Sequence, residues 1–187
     1  MKANPVWWAS ALVCCALAVS GGIDPMTQNA LKVMHILRTI ERHQPRSGSG
    51  EQTAEVSQPE LNDYIVYRLE KEKHPLIQTL AIKLFDDNQV RGNVRLDARQ
   101  LKLGLLFGQT LDFDLSGVLQ TRNGAGRIHL RTAKLRGRPV KPQVLDMVLK
   151  AVSLYYGTDP VRLDDWHELP TGVKRIQVQK GKAVLFY

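Results

Sequence analysis

The chain has 187 residues, a formal net charge of +8, few aromatic side chains and two cysteines. Both cysteines, Cys14 and Cys15, fall inside an N-terminal apolar segment. A product cleaved behind that segment has no disulfide framework, no thiol nucleophile and no thiolate zinc site, and its single domain must hold together by packing alone.

Residues 1–20 carry Lys2, an apolar run from Val6 to Val19 and then small residues, the layout of an export signal. Ala18-Val19-Ser20 satisfies the small-x-small rule for cleavage before Gly21, with Gly22 a near equivalent. Neither cysteine follows the small residue that lipidation requires. The run is shorter than the roughly 18–20 apolar residues of a spanning helix, and a retained inner-membrane anchor stands as the alternative to cleavage. The expected location is the periplasm or the extracellular space.

Within 21–45, Leu31, Val33, Met34, Ile36, Leu37 and Ile40 form a helical stripe that ends before Pro45. Residues 46–55 have the Gly, Ser and charge content of a flexible linker, so the stripe is expected to be an amphipathic arm ahead of a main domain over 56–187. That domain opens on a capping box. Ser57 and Glu60 have its spacing, Pro59 suits a first turn, and Val56 and Leu61 stand where a hydrophobic staple closes. Leu61, Tyr64, Ile65 and Leu69 share one face of the helix that follows.

From Leu76 onward the apolar period shortens to two. Leu80, Ile82 and Leu84, then Val94 and Leu96, then Leu101, Leu103 and Leu105 read as antiparallel strands with one dry face, with a turn at 86–92. Asn123-Gly124 predicts a two-residue hairpin turn that sets Leu119 opposite Ile128 and Gly117 opposite Leu130. The alternation slips after Leu130, and one extra residue near Arg131 or Thr132 repairs it. Leu115 then faces Ala133 and Phe113 faces Leu135, while Asp114 faces Lys134 and Asp112 faces Arg136 as cross-strand ion partners. Val144, Leu145, Val148, Leu149, Val152 and Tyr155 make a second amphipathic helix closed by Gly157. Two strands, 173–178 and 183–186, finish the chain around a Lys180-Gly181 turn, with the C-terminus paired in the sheet.

Catalytic signatures are sparse. The five histidines include no pair at helical ligand spacing, no G-x-S-x-G occurs, and "NGAG" lacks the Lys-Ser/Thr end and following helix of a phosphate loop. The densest polar cluster, "LDDWHELP", gathers Asp164, Asp165, His167 and Glu168 around Trp166, and a cation or acid–base role there is the minor alternative to a polar loop. No enzyme, cofactor or metal is expected. The segment from Arg122 to Lys141 holds Arg122, Arg127, Arg131, Lys134, Arg136 and Arg138 without one acidic residue. It also lacks the aromatics that nucleic-acid sheets interleave with such charge. The segment reads as a solvated outer face or, as its functional reading, a surface that docks on an anionic membrane, and nucleic acid is not expected.

The order of "SQPELNDYI", "LAIKLFDDNQVRGNVRLD", "LSGVLQTRNGAGRIHLRTAKLRGRPV" and "LPTGVKRIQVQKGKAVLFY" resembles small exported bacterial phospholipid-binding proteins of the LmeA type. More loosely it is similar to the tubular lipid-binding (TULIP) superfamily. The resemblance spans 56–187 and implies a curved antiparallel sheet wrapped on a long helix, with an apolar groove for acyl chains. Its binding residues follow no fixed motif. The residues alone predict an α+β fold, a one-sided antiparallel sheet packed on two amphipathic helices with an N-terminal helical arm, and the resemblance adds that the sheet is curved. Leu103, Leu105, Leu106, Phe107, Leu111, Phe113, Leu145, Val148, Leu149 and Val152 are expected at a lipid groove or, equally by pattern, in a solid core. Two functions follow as expectations: an exported, non-enzymatic lipid-binding or lipid-carrying protein, or an envelope scaffold that docks a protein partner through the helix 29–44.

Overall fold

The computed structural model describes residues 24–42, 50–73, 75–101, 108–159, 162 and 165–187. The export-signal segment, residues 46–49 of the expected linker, His43, His74, Asp164 and residues 102–107 lie outside them. In chain order the elements are α1 (Pro25–Arg42), β1 (Thr53–Ser57), α2 (Gln58–Glu72), β2 (Ile77–Leu84), β3 (Gln89–Asp97) and β4 (Thr110–Arg122). There follow β5 (Ala125–Leu135), β6 (Arg138–Pro139), α3 (Pro142–Tyr156), β7 (His167–Glu168), β8 (Arg175–Gln179) and β9 (Lys182–Phe186).

The architecture is the expected α+β one. A strongly curled antiparallel sheet runs β2-β3-β4-β5-β6, with β7 added to the turn end of β5, and a small sheet runs β1-β9-β8. The long β4–β5 hairpin has the register that the sequence dictates. Asn123 and Gly124 both take positive φ (46° and 75°), the turn that matches strand twist. Leu119 lies opposite Ile128, and Phe113 opposite Leu135. The register shifts between Ser116 and Gly117, which pair with Thr132 and Leu130 and leave Arg131 as the extra residue of a bulge. Leu101, expected in a strand, is instead a buried turn residue at the end of the β3 segment.

The concave face has two covers. Over one end, Leu145 and Val148 of α3 close on Leu96, Leu111 and Phe113. Over the other, Val178 and Ala183 of the small sheet meet Leu84, with Ile82, Val90, Leu119 and Leu61 of α2 packed around them. The open edge of β2 is blunted by side chains from α2. Asn62 accepts from Ile82 N and donates to its carbonyl, at 2.7 and 2.9 Å, and Gln58 accepts from Leu84 N at 2.8 Å.

The N-terminal helical arm is docked. Val33, Leu37 and Ile40 bury their stripe against Val56, Val173 and Leu185, and Asn29 and Lys32 reach Asp63 and Glu60 on α2. The composition of 46–55 suggested a linker up to the domain, yet its last residues, Thr53–Glu55, already belong to β1. They pair with the C-terminal strand, Thr53 opposite Phe186 and Glu55 opposite Val184. Backbone bonds between Gln52 and Tyr187 extend that pairing to the last residue.

The capping box forms as expected. Ser57 Oγ accepts from Glu60 N, and Glu60 returns a carboxylate oxygen to Ser57 N at 2.8 Å. Burial pushes the Glu60 carboxyl up, but the bonds from Lys32 and Ser57 outweigh it, and its pKa lies below the ordinary 4.5. A depressed folded pKa adds stability above the unfolded value and loses it as pH falls through the folded one. Ser57→Ala is therefore expected to cost about 0.5–2 kcal/mol in urea unfolding at neutral pH. Glu60→Gln is expected to flatten the loss of stability below about pH 4.5; unchanged acid unfolding in that variant would remove Glu60 from the account.

Candidate functional site

Two surfaces of the large sheet carry the residues singled out in sequence. On the concave side, Leu111 and Phe113 from β4 and Leu145 and Val148 from α3 come together in one buried cluster, with Leu149 and Val152 packed against it. Their exposures are 0, 2, 5 and 2 %, so β4 and α3 are in direct apolar contact here. Leu103, Leu105, Leu106 and Phe107 lie outside the described residues. The opposite side of α3 is also apolar: Met147, Leu154 and Tyr155 stand exposed, Leu154 at 66 %. Lys141 precedes the helix and Lys150 projects from it, both exposed. A helix that is apolar around so much of its circumference is ordinarily buried on all sides, whereas α3 is covered on one.

The convex side carries the charge. Residues of β2 to β5 that alternate with the dry phase place Lys83, Arg91, Arg95, Arg127 and Lys134 there. Asp112 and Asp114 lie in the same rows, and their partners differ from those expected. The backbone does set Asp114 opposite Lys134. The Asp114 carboxylate, however, accepts from Asn93 on β3 at 2.9 Å, and Asp112 forms its ion pair with Arg95 on β3 at 2.5 Å. Arg136 cannot reach across as an ordinary strand residue, because with Gly137 it forms the β5–β6 turn at φ 50° and 76°. Its N–H donates to Asp112 O and its guanidinium to Thr110 O at 2.6 Å. Both aspartates thus hold the sheet together, and exposed pairs of this kind contribute at most about 1 kcal/mol.

Aromatic groups reach the basic face from elsewhere in the chain. The Arg122 and Arg127 guanidiniums lie 4.1 and 4.7 Å from the Trp166 ring, and Arg127 also donates to Gln120 at 2.8 Å. This stacking brings the 166–168 segment onto the hairpin, where His167 pairs with Gly126 and Glu168 with Ala125. Gly126 leaves room for it, since a β-carbon there would sit 2.9 Å from Leu169. Asp165 caps Arg162 N at 2.9 Å. The polar cluster around Trp166 is hence a strand addition clasped by two arginines, and among the described residues no three His, Cys, Asp or Glu side chains gather as metal ligands. Local sequence around Arg122 contains no sign of Trp166, which lies more than forty positions away.

At the β3–Leu101 connection, Asp97 accepts from the Arg99 guanidinium through both carboxylate oxygens, at 3.0 and 2.7 Å. Arg99 holds the Asp97 carboxyl below its ordinary range. The pair, with Arg99 N also donating to Asp97 at 3.0 Å, holds the turn that follows β3.

Among the described residues no helix is long and apolar enough to cross a membrane. No family model, no curated protein and no solved structure matches this chain.

Proposed function

We propose that this is an exported, non-enzymatic protein that binds or carries a lipid or another apolar envelope molecule, its basic convex face turned toward an anionic membrane. The observation that supports it most is α3, which places Leu145 and Val148 on the concave sheet and presents Met147, Leu154 and Tyr155 outward beside Lys141 and Lys150. An apolar outer stripe flanked by cations suits the boundary between headgroups and acyl chains. An acyl chain entering between α3 and β4 exchanges one apolar contact for another, which involves no exposure of apolar surface to water. The cations of the convex face each add on the order of 1 kcal/mol near an anionic leaflet.

Native mass spectrometry of the protein purified from its own envelope fraction, followed by lipid extraction, tests this reading. A stoichiometric lipid adduct is expected. A clean apo mass, unchanged after incubation with anionic vesicles, would overturn it and favour an envelope scaffold without a ligand.

A further inference from the structure

The β-bulge at Arg131 has a geometric consequence on the convex face. Arg91 on β3, Ser116 on β4 and Thr132 on β5 occupy one cross-strand row, and the extra residue sets Arg131 beside Thr132 with both side chains exposed. A shallow cleft of about 70 Å³ lies over this row, lined by Phe85, Gln89, Arg91, Ser116, Gly117 and Arg131 among others. Two arginines therefore flank Ser116 from the strands on either side of it, whose backbones run roughly 4.8 Å away in each direction. Ser116 Oγ and Thr132 Oγ1 share a hydrogen bond of 2.6 Å along the floor.

The charges in this cleft are uncompensated. No acidic residue lines it. Of the two aspartates in the β2–β3 turn, Asp86 is turned away to accept from Lys180 N at 2.9 Å. Elsewhere arginines have carboxylate partners, as in Arg95 with Asp112, Arg99 with Asp97 and Arg175 with Glu51. Among the described residues neither Arg91 nor Arg131 has one. Arg91 instead lies over the exposed Phe85 ring at 5.5 Å, a contact that orients the guanidinium and leaves its N–H donors free.

We propose that Arg91, Ser116 and Arg131 form a subsite for a phosphate group, with Phe85 as its apolar wall. Guanidinium forks match the oxygens of phosphate in pairs, and the hydroxyl supplies a further donor between them. The bulge is what brings the second fork into the row. The subsite deepens the membrane-facing part of the proposal above, and rests on it only for the idea that the phosphate is a lipid headgroup rather than a soluble one.

The test is flotation of the full chain with phosphatidylcholine vesicles carrying either phosphatidic acid or oleate, adjusted to equal surface potential. Binding about tenfold tighter to phosphatidic acid is expected. Arg91→Gln and Arg131→Gln should each abolish that preference. Arg131→Lys should abolish it too, since it keeps the charge and loses the fork. Lys134→Gln, on the convex face outside the cleft, should weaken binding to both vesicles alike and keep the preference.

Equal binding of the unmodified chain to both vesicles, or loss of preference in Lys134→Gln, would overturn the subsite. Calorimetry with inorganic phosphate at constant ionic strength distinguishes the sources. Saturable heat that the Arg91 and Arg131 variants lack supports a soluble phosphate, and its absence alongside the vesicle preference supports a headgroup. A clean apo mass in the adduct experiment together with an intact vesicle preference would sink the carrier and leave the subsite standing.

Discussion

Phe113→Ala is expected to lower the free energy of unfolding by about 3–5 kcal/mol, the cost of deleting a buried aromatic together with the cavity it leaves. Phe113 is 2 % exposed and stands in a cross-strand row from Leu80 through Val94 to Leu135, beneath Leu145 and Val148 of α3. Few neighbours can collapse into the space, because the row is fixed by backbone pairing on both sides. Leu154→Ala, on the outer side of α3 and 66 % exposed, is expected to change stability by no more than about 0.5 kcal/mol. Urea unfolding of both variants measures the difference. A cost below about 1 kcal/mol for Phe113→Ala would mean that α3 does not close on β4 as described. The pair also separates stability from binding. Leu154→Ala should weaken vesicle association while folding normally, whereas Phe113→Ala should act first on folding.

The large sheet was legible because its signals are local. The slip of alternation after Leu130 and the Asn123-Gly124 turn sufficed to place the bulge at Arg131 and to set Phe113 opposite Leu135. The partners of Asp112 and Asp114 were not legible from the hairpin. A central strand has two neighbours, and their carboxylates bond to Arg95 and Asn93 on the other one. Backbone register limits which residues can meet, and side-chain length and turn geometry then choose among them. Arg136 illustrates the second point, since its positive φ places it in a turn instead of a strand row.

What escaped the sequence is mostly long-range pairing. β1 is five residues long and meets the C-terminal strand across nearly the whole described domain, so nothing near Thr53 announces it. β7 is shorter still, and its attachment depends on Trp166 stacking against arginines of a distant hairpin. The candidate phosphate cleft combines a bulge that was legible with Phe85 and Arg91, which are charged or aromatic in isolation and gain meaning only when β3 lies beside β4. The lipid-facing residues show the complementary limit. Pattern marks Leu111, Phe113, Leu145 and Val148 as apolar, and the fold adds that they meet one another with little exposure.

Gly172→Ala is expected to cost about 2–5 kcal/mol and to loosen α1, from two separate causes. Gly172 has φ 87° at the third position of a turn closed by Val173 N donating to Pro170 O at 2.9 Å, a place where a side chain is strained by roughly 1–2 kcal/mol. In addition, a β-carbon there would lie 2.8 Å from the Ile40 carbonyl oxygen and 3.1 Å from its Cγ2 atom. Ile40 is 1 % exposed at the end of α1, so the helix must shift as a body to relieve the contact. Gly181→Ala separates the causes, because Gly181 has φ 75° with nothing near its would-be β-carbon. It should lose only the conformational part. Hydrogen exchange should show faster opening of α1 amides in Gly172→Ala than in Gly181→Ala, with the β4–β5 hairpin protected equally in both. Equal costs and equal α1 protection would mean that the arm is not seated on the 170–173 turn. A selective loss would place the docking of α1 under the control of one glycine, and would make that variant the means of asking whether membrane binding needs the arm in place.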